Sequence, residues 1–121
     1  MTLIAELRQA DDACCSPLTT APLAVDEAEQ LARTFRALSD PTRLRLISII
    51  AASEGQEACV CDLTEPVGLS QPTVSHHLKI LTEAGILNRT KRGSWAYFAM
   101  VPGALERVGS SLVTGSETGS R

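Results

Sequence analysis

Apolar residues return at helical spacing between residues 24 and 38. Ala28, Leu31, Ala32, Phe35 and Leu38 share one side, with Glu27, Glu29, Arg33 and Arg36 between them. That period predicts an amphipathic helix. "SDP" ends it. Asp40 is a good N-cap and Pro41 suits the first helical position, so a second helix starts there and runs to about residue 52. Leu44, Leu46, Ile47, Ile49 and Ile50 make it apolar over most of its circumference, which places it centrally in the core. "SEGQEA" reads as a loop. A short helix over roughly residues 60–67 follows, and Pro66, which lacks a backbone donor, keeps it short or distorted. In "GLS", Gly68 stops that helix and Ser70 caps the next. This long helix tolerates Pro72 in its first turn, turns Val74, His77, Leu78 and Leu81 inward, and reaches about residue 84 before Gly85.

The period then changes. "ILNRTKRGSWAYFAM" holds two β-prone runs around the polar turn "TKRGS", the pattern of a β-hairpin. Residues 102–113 predict a final short helix with Leu105, Val108 and Leu112 on one side, weakened by Gly109. Residues 1–22 show no clear period, and "TGSETGSR" is a polar tail. The expected organisation is an N-terminal cysteine-bearing arm (1–22), one folded domain (23–113) and a flexible tail (114–121). The fold class is mainly α with a β-hairpin.

Composition narrows the picture. The chain has 121 residues, a one-domain length, and its 44% hydrophobic and 21% charged content is that of a globular protein. Aromatics are only 3%, so aliphatic side chains must fill the core. A chain this short buries a limited core alone, and dimerisation would help it. There is no apolar run long enough to span a bilayer. "MTLIAELRQADDACC" lacks the basic and apolar regions of a signal peptide. The expectation is a cytoplasmic protein, without membrane association, whose cysteines stay reduced. Four cysteines then point to metal binding or redox chemistry rather than to a disulfide framework.

The net charge of −3 argues against a nucleic-acid partner until its distribution is considered. Residues 1–32 hold six acids against one base, whereas residues 71–95 hold Lys79, Arg89, Lys91 and Arg92 against Glu83 alone. A local basic surface on an acidic chain can bind phosphates with salt-sensitive affinity. Helix, short turn with Gly, helix, then hairpin is the layout of a winged helix-turn-helix. On the long helix Val74, Leu78 and Leu81 pack, while Gln71, Thr73, Ser75, His76 and Lys79 project outwards. Gln, Ser and Thr can bond base edges or phosphates, and Lys79 suits phosphate. Arg89, Lys91 and Arg92 stand on the hairpin, where a wing reaches the adjacent backbone or minor groove. The plainer alternative is a solvated amphipathic helix beside a charged hairpin. Turn, caps, short polar face and basic wing together favour double-stranded DNA as the partner.

"ALSDPTRLRLISII", then "GLSQPTVSHHLKILTEAGIL" and a charged hairpin, resemble the ArsR/SmtB family of metal-responsive repressors over roughly residues 24–101. The resemblance implies a homodimeric winged helix-turn-helix repressor of operator DNA, with its first and last helices at the dimer interface. Two recognition helices would enter successive major grooves about 34 Å apart. An effector ion would bind the dimer and lower its DNA affinity.

"EACVCDL" resembles the family's metal box, and Cys59 and Cys61 match its first two thiols. The arsenic-sensing version confined to this box has a third cysteine where this chain has Thr64. In the family, arm cysteines can complete the site. The adjacent Cys14 and Cys15 look like one arsenic-sensing branch, and the intact Cys59–Cys61 pair looks like a cadmium/lead-sensing branch. Thiolate-only ligation selects soft ions. As(III) takes three pyramidal sulfur bonds, and adjacent cysteines can occupy two of those positions. The reading is therefore an As(III) sensor, with Sb(III) as a mimic, held by Cys14 and Cys15 with Cys59 or Cys61. Cd(II) or Pb(II) on thiolates is the alternative.

His76 and His77 are neighbours and point to different sides of their helix, so they are no metal pair. Zinc sites on the last helix of family members use Asp, His and Glu; residues 102–113 hold only Glu106, so no such site is expected. A thiol redox-sensing repressor is the first rival. An enzyme is disfavoured, because the chain offers no phosphate loop, no Cys-x-x-Cys and no nucleophile–base arrangement outside the reading helix.

Overall fold

The computed structural model describes residues 18–113, so Cys14, Cys15 and the polar tail lie outside the described residues. The elements run α1 (Val25–Leu38), α2 (Pro41–Ala52), a 3-10 turn (Glu54–Gln56), β1 (Glu57–Cys59), a second 3-10 turn (Val60–Asp62), α3 (Thr64–Val67), α4 (Gln71–Glu83), β2 (Leu87–Arg92), β3 (Trp95–Met100) and α5 (Ala104–Ser111). The chain divides into two compact units. Among the described residues, one is residues 32–102 and the other joins residues 18–31 with residues 103–113.

The first unit carries the helix-turn-helix and the hairpin. α2 starts where the sequence places it, because the Asp40 carboxylate accepts the Arg43 backbone N–H at 3.1 Å and Pro41 needs no partner for its nitrogen. That bond holds the Asp40 carboxyl below the ordinary aspartate range. Leu46, Ile47 and Ile50 are buried, while Leu44 is half exposed. The wide apolar circumference of α2 is thus only partly covered by the described residues. Gly68 takes φ 70° at the end of α3, a left-handed conformation that suits glycine. Ser70 then caps α4, its Oγ accepting the Thr73 N–H at 3.5 Å. Val74, Leu78 and Leu81 on α4 are fully buried and seat it in the core.

Two expectations are corrected. "SEGQEA" is not a loop throughout: its last residues enter β1. Three residues are too few to show a period of two, and their partners on β3 lie about forty positions further on. The short helix expected over 60–67 is two pieces, a 3-10 turn and the single turn of α3. Pro66 lies inside α3's first turn, where a missing N–H costs no intrahelical bond, and its carbonyl accepts Arg45 Nη2 at 3.0 Å.

The sheet is antiparallel in the order β1-β3-β2. Its register sets which residues share a face, since opposite residues point the same way and neighbours alternate. Leu87, Arg89 and Lys91 stand opposite Met100, Phe98 and Ala96 on one face, where Phe98 and Leu87 are buried. Asn88, Thr90 and Arg92 stand opposite Ala99, Tyr97 and Trp95 on the other. Glu57 and Cys59 are opposite Ala99 and Tyr97, which places them on this second face. Gly93, at φ 64°, makes the tight turn between β2 and β3.

In the other unit α5 follows Gly103, and the Leu18 N–H donates to the Ser111 carbonyl at 2.8 Å. Large apolar side chains remain exposed here: Leu18, Val25, Leu105, Leu112 and Val113. Among the described residues no helix is long and apolar enough to cross a membrane. Helix, glycine turn, helix and hairpin make the protein a winged helix-turn-helix.

Leu46 has no solvent-exposed surface. Leu46→Ala is expected to lower the unfolding free energy by about 2–5 kcal/mol, read from denaturant melts, by loss of transfer energy and opening of a cavity.

Candidate nucleic-acid interface and thiol segment

Gln71, Ser75 and Lys79 recur every fourth residue along α4 and so form one stripe. This stripe and Arg89 and Lys91 of β2 line a cleft of about 640 Å³ between helix and wing. Lys79, Arg89 and Lys91 face a single carboxylate there, that of Glu83. Thr73 and His76 are exposed on α4 away from this lining. Thr73 also serves the helix cap, accepting a bond from Ser70 Oγ at 3.0 Å. Trp95, which the sequence reading left out, is 48% exposed and borders the cleft at the wing end of β3, although strand parity sets it on the Arg92 face of the sheet.

Arg92 stands apart from Arg89 and Lys91. The alternation along β2 turns it to the opposite face of the sheet. There its Nη1 and Nη2 donate to both carboxylate oxygens of Glu57, at 3.0 and 2.7 Å. Its guanidinium also lies 4.4 Å from the centre of the Tyr97 ring. The bonds from Arg92 hold the Glu57 carboxyl below the ordinary glutamate range and raise the arginine. Of the three basic wing residues, two face the cleft and one is held elsewhere.

A second arginine fixes the reading helix. Arg43 Nε donates to the Ala37 carbonyl at 2.6 Å and Nη2 to the Arg36 carbonyl at 3.2 Å, closing the last turn of α1. Its Nη1 lies 3.1 Å from His77 Nδ1 on α4. A guanidinium only donates, so at this contact Nδ1 is the accepting atom. His77 is half-buried, as its inward position on the helix implies, and His76 is exposed. The link from Arg43 to His77 spans 34 positions and has no signature in sequence.

Cys59 ends β1 and is buried, while Cys61 in the following 3-10 turn is exposed. The turn brings their Cα atoms to 5.1 Å, and the two sulfurs are joined as a disulfide. The expectation of reduced thiols is not what the structure holds at this pair; two residues of separation across a tight turn leave the sulfurs adjacent. Cys61 also donates its N–H to Cys59 Sγ at 3.2 Å. The turn packs against both α4 and β3. Among the described residues no cluster of three or more His, Cys, Asp or Glu could hold a metal ion. Cys59 and Cys61 are the two cysteines that come together among the described residues.

Residues 40–89 match the family described as bacterial regulatory protein, arsR family. The chain is 36% identical over 84 residues to an uncharacterised helix-turn-helix-type transcriptional regulator of Methanocaldococcus jannaschii, covering 69% of this chain and 92% of that protein. It is 44% identical over 78 residues to the arsenic resistance transcriptional regulator ArsR1 of Pseudomonas putida, covering 64% of this chain and 59% of that protein. The chain thus spans less than two thirds of that relative. Its fold is similar, with a TM-score of 0.60 and 23% identity, to the homodimeric winged helix-turn-helix DNA-binding domain of a possible ArsR-family transcriptional regulator from Mycobacterium bovis. That likeness covers 74% of this chain and 82% of the other.

The Glu57–Arg92 fork sets a pH dependence. The Glu57 pKa is lower folded than unfolded, so its contribution is present above the ordinary glutamate pKa of about 4.3 and is lost as pH falls through the folded value. Melts of the wild type and of Glu57→Gln should differ at neutral pH and converge in acid below that range.

Proposed function

Because the chain belongs to the arsR family of bacterial regulatory proteins, DNA-binding transcriptional regulators and not enzymes, we propose that it is a homodimeric repressor whose cysteine thiolates take up As(III) and thereby release operator DNA. The observation that carries this reading is the convergence of Cys59 and Cys61 on a turn packed against the reading helix and the wing's sheet. Once reduced, either sulfur can join Cys14 and Cys15 in a three-thiolate set. Thiolate sulfur is the donor type that selects soft ions, and Sb(III) has the same demand. All four sulfurs together would suit Cd(II) or Pb(II). Gln71, Thr73, Ser75, His76, Lys79, Arg89 and Lys91 form the DNA-binding set. Arg92, held by Glu57, is left out of it.

Val25 at the start of α1, Leu105 on α5, and Leu112 and Val113 just after it are exposed large apolar side chains, and they support a second copy as the dimer partner that would cover them. Ligation would act through the Val60–Asp62 turn. Fixing this turn in one arrangement changes what the wing's sheet packs against, and a coupling of about 1–3 kcal/mol would weaken DNA binding about 5- to 150-fold. The Cys59–Cys61 disulfide supports a second reading, in which thiol oxidation is the release signal.

X-ray absorption on the reduced, arsenite-loaded protein tests the first reading. Three sulfurs around arsenic, with release lost in Cys14→Ser while its metal-free operator affinity is kept, are the expected results. Four sulfurs around cadmium, with release by cadmium and not arsenite, would give the cadmium/lead sensor. Release by peroxide alone would give the redox reading. The DNA-binding set has its own test in the salt dependence of affinity. Lys91→Ala, which removes one lysine from each wing of the dimer, should reduce the slope of log K against log salt by about 1.8, and Arg92→Ala should leave it unchanged.

A further inference from the structure

Neither the DNA-binding set nor the thiolate set uses the Glu57–Arg92 fork, although it joins the strands that carry them. Glu57 lies on β1 two residues before Cys59. Arg92 lies on β2, the strand that presents Arg89 and Lys91 to the cleft. Tyr97 on β3 stands between them, opposite Cys59 in one ladder and opposite Thr90 in the other. Its ring is the surface across which Arg92 reaches Glu57. Glu57, Cys59, Tyr97 and Arg92 therefore share one face of the sheet and make a continuous connection from thiol to wing.

An exposed ion pair contributes little to stability, so stability alone gives weak reason for this arrangement. Its geometry is more informative. A guanidinium gripping both oxygens of a carboxylate is fixed in direction as well as distance. Here it fixes the end of β2, next to the wing turn, to a three-residue strand whose other end is Cys59.

We propose that Glu57, Tyr97 and Arg92 are positioning residues of a relay that carries the state of Cys59 and Cys61 to the DNA-reading wing. The proposal rests on the reading that these thiols are the sensor. β1 is too short to absorb a displacement along its length. A change in what holds the Cys59 sulfur shifts Glu57 on the same face, and the fork turns that shift into movement of β2 across Tyr97. Arg89 and Lys91 then lose their alignment with Lys79. α4 itself stays seated by Val74, Leu78 and Leu81. Release through this route displaces the wing and leaves the helix in place.

The test uses the full chain as wild type, Glu57→Gln and Arg92→Lys. Backbone amide resonances of Lys91, Gly93 and Ser94 are followed by NMR as the Cys59–Cys61 disulfide is reduced with a phosphine, and again as arsenite is added to the reduced protein. Operator affinity is measured by fluorescence anisotropy with and without arsenite. In the wild type the wing resonances should move at both steps. In Glu57→Gln, arsenite uptake and metal-free operator affinity should be unchanged, the wing resonances should stay still, and release should fall by about fivefold or more. Arg92→Lys, which keeps the charge and loses the fork, should restore only part of the response. A Glu57→Gln protein that responds like the wild type would overturn the relay. If the wild type takes up no arsenite, the arsenic reading falls while the reduction step still decides. Wing resonances that ignore reduction of the disulfide in the wild type would sink the relay on their own.

Discussion

β3 hydrogen-bonds along both of its edges, and much of the molecule follows from this. A hairpin of β2 and β3 alone would present an open edge, and two strands in water are marginal. β1 covers that edge with three residues. The same strand ends in Cys59, so the thiol segment is bonded into the sheet that forms the wing. Phe98, at the centre of β3, packs the sheet into the core that also holds Leu46, Ile50 and Leu78. Reading surface and thiol pair are thus parts of one packed unit, residues 32–102.

The α-helices of this unit were legible because their signals are local. Asp40 with Pro41, Gly68 and Ser70 each act within four residues, and the apolar stripe of α4 repeats within a single helix. The hairpin was legible for the same reason. β1 was not, because its definition lies in backbone bonds to residues 97–99 and not in its own three side chains. The break between the Val60–Asp62 turn and α3 was also hidden, since the proline that signalled distortion is tolerated where it stands and the interruption comes before it, at Leu63.

The sequence names the candidate site's residue types and leaves their geometry open. "TKRGS" counts as a basic wing, but a count does not separate Lys91 from Arg92. Strand parity does: adjacent residues face opposite sides, and one found the cleft while the other found Glu57. Arg43 was invisible for a related reason. It reads as a helical surface residue, yet it binds the end of α1 and the His77 ring of α4 together. Cys59 and Cys61 were legible as a pair from spacing alone, and the tight turn accounts for how closely their sulfurs meet.

Trp95 is the only tryptophan in the chain. It opens β3 directly after the wing turn, and about half of it is exposed. An indole in that position changes its emission when the water around it is replaced by nucleic acid or protein. The unmodified protein therefore carries its own optical reporter, placed on the part of the fold that would touch DNA, and it needs no attached dye to show when the wing is occupied.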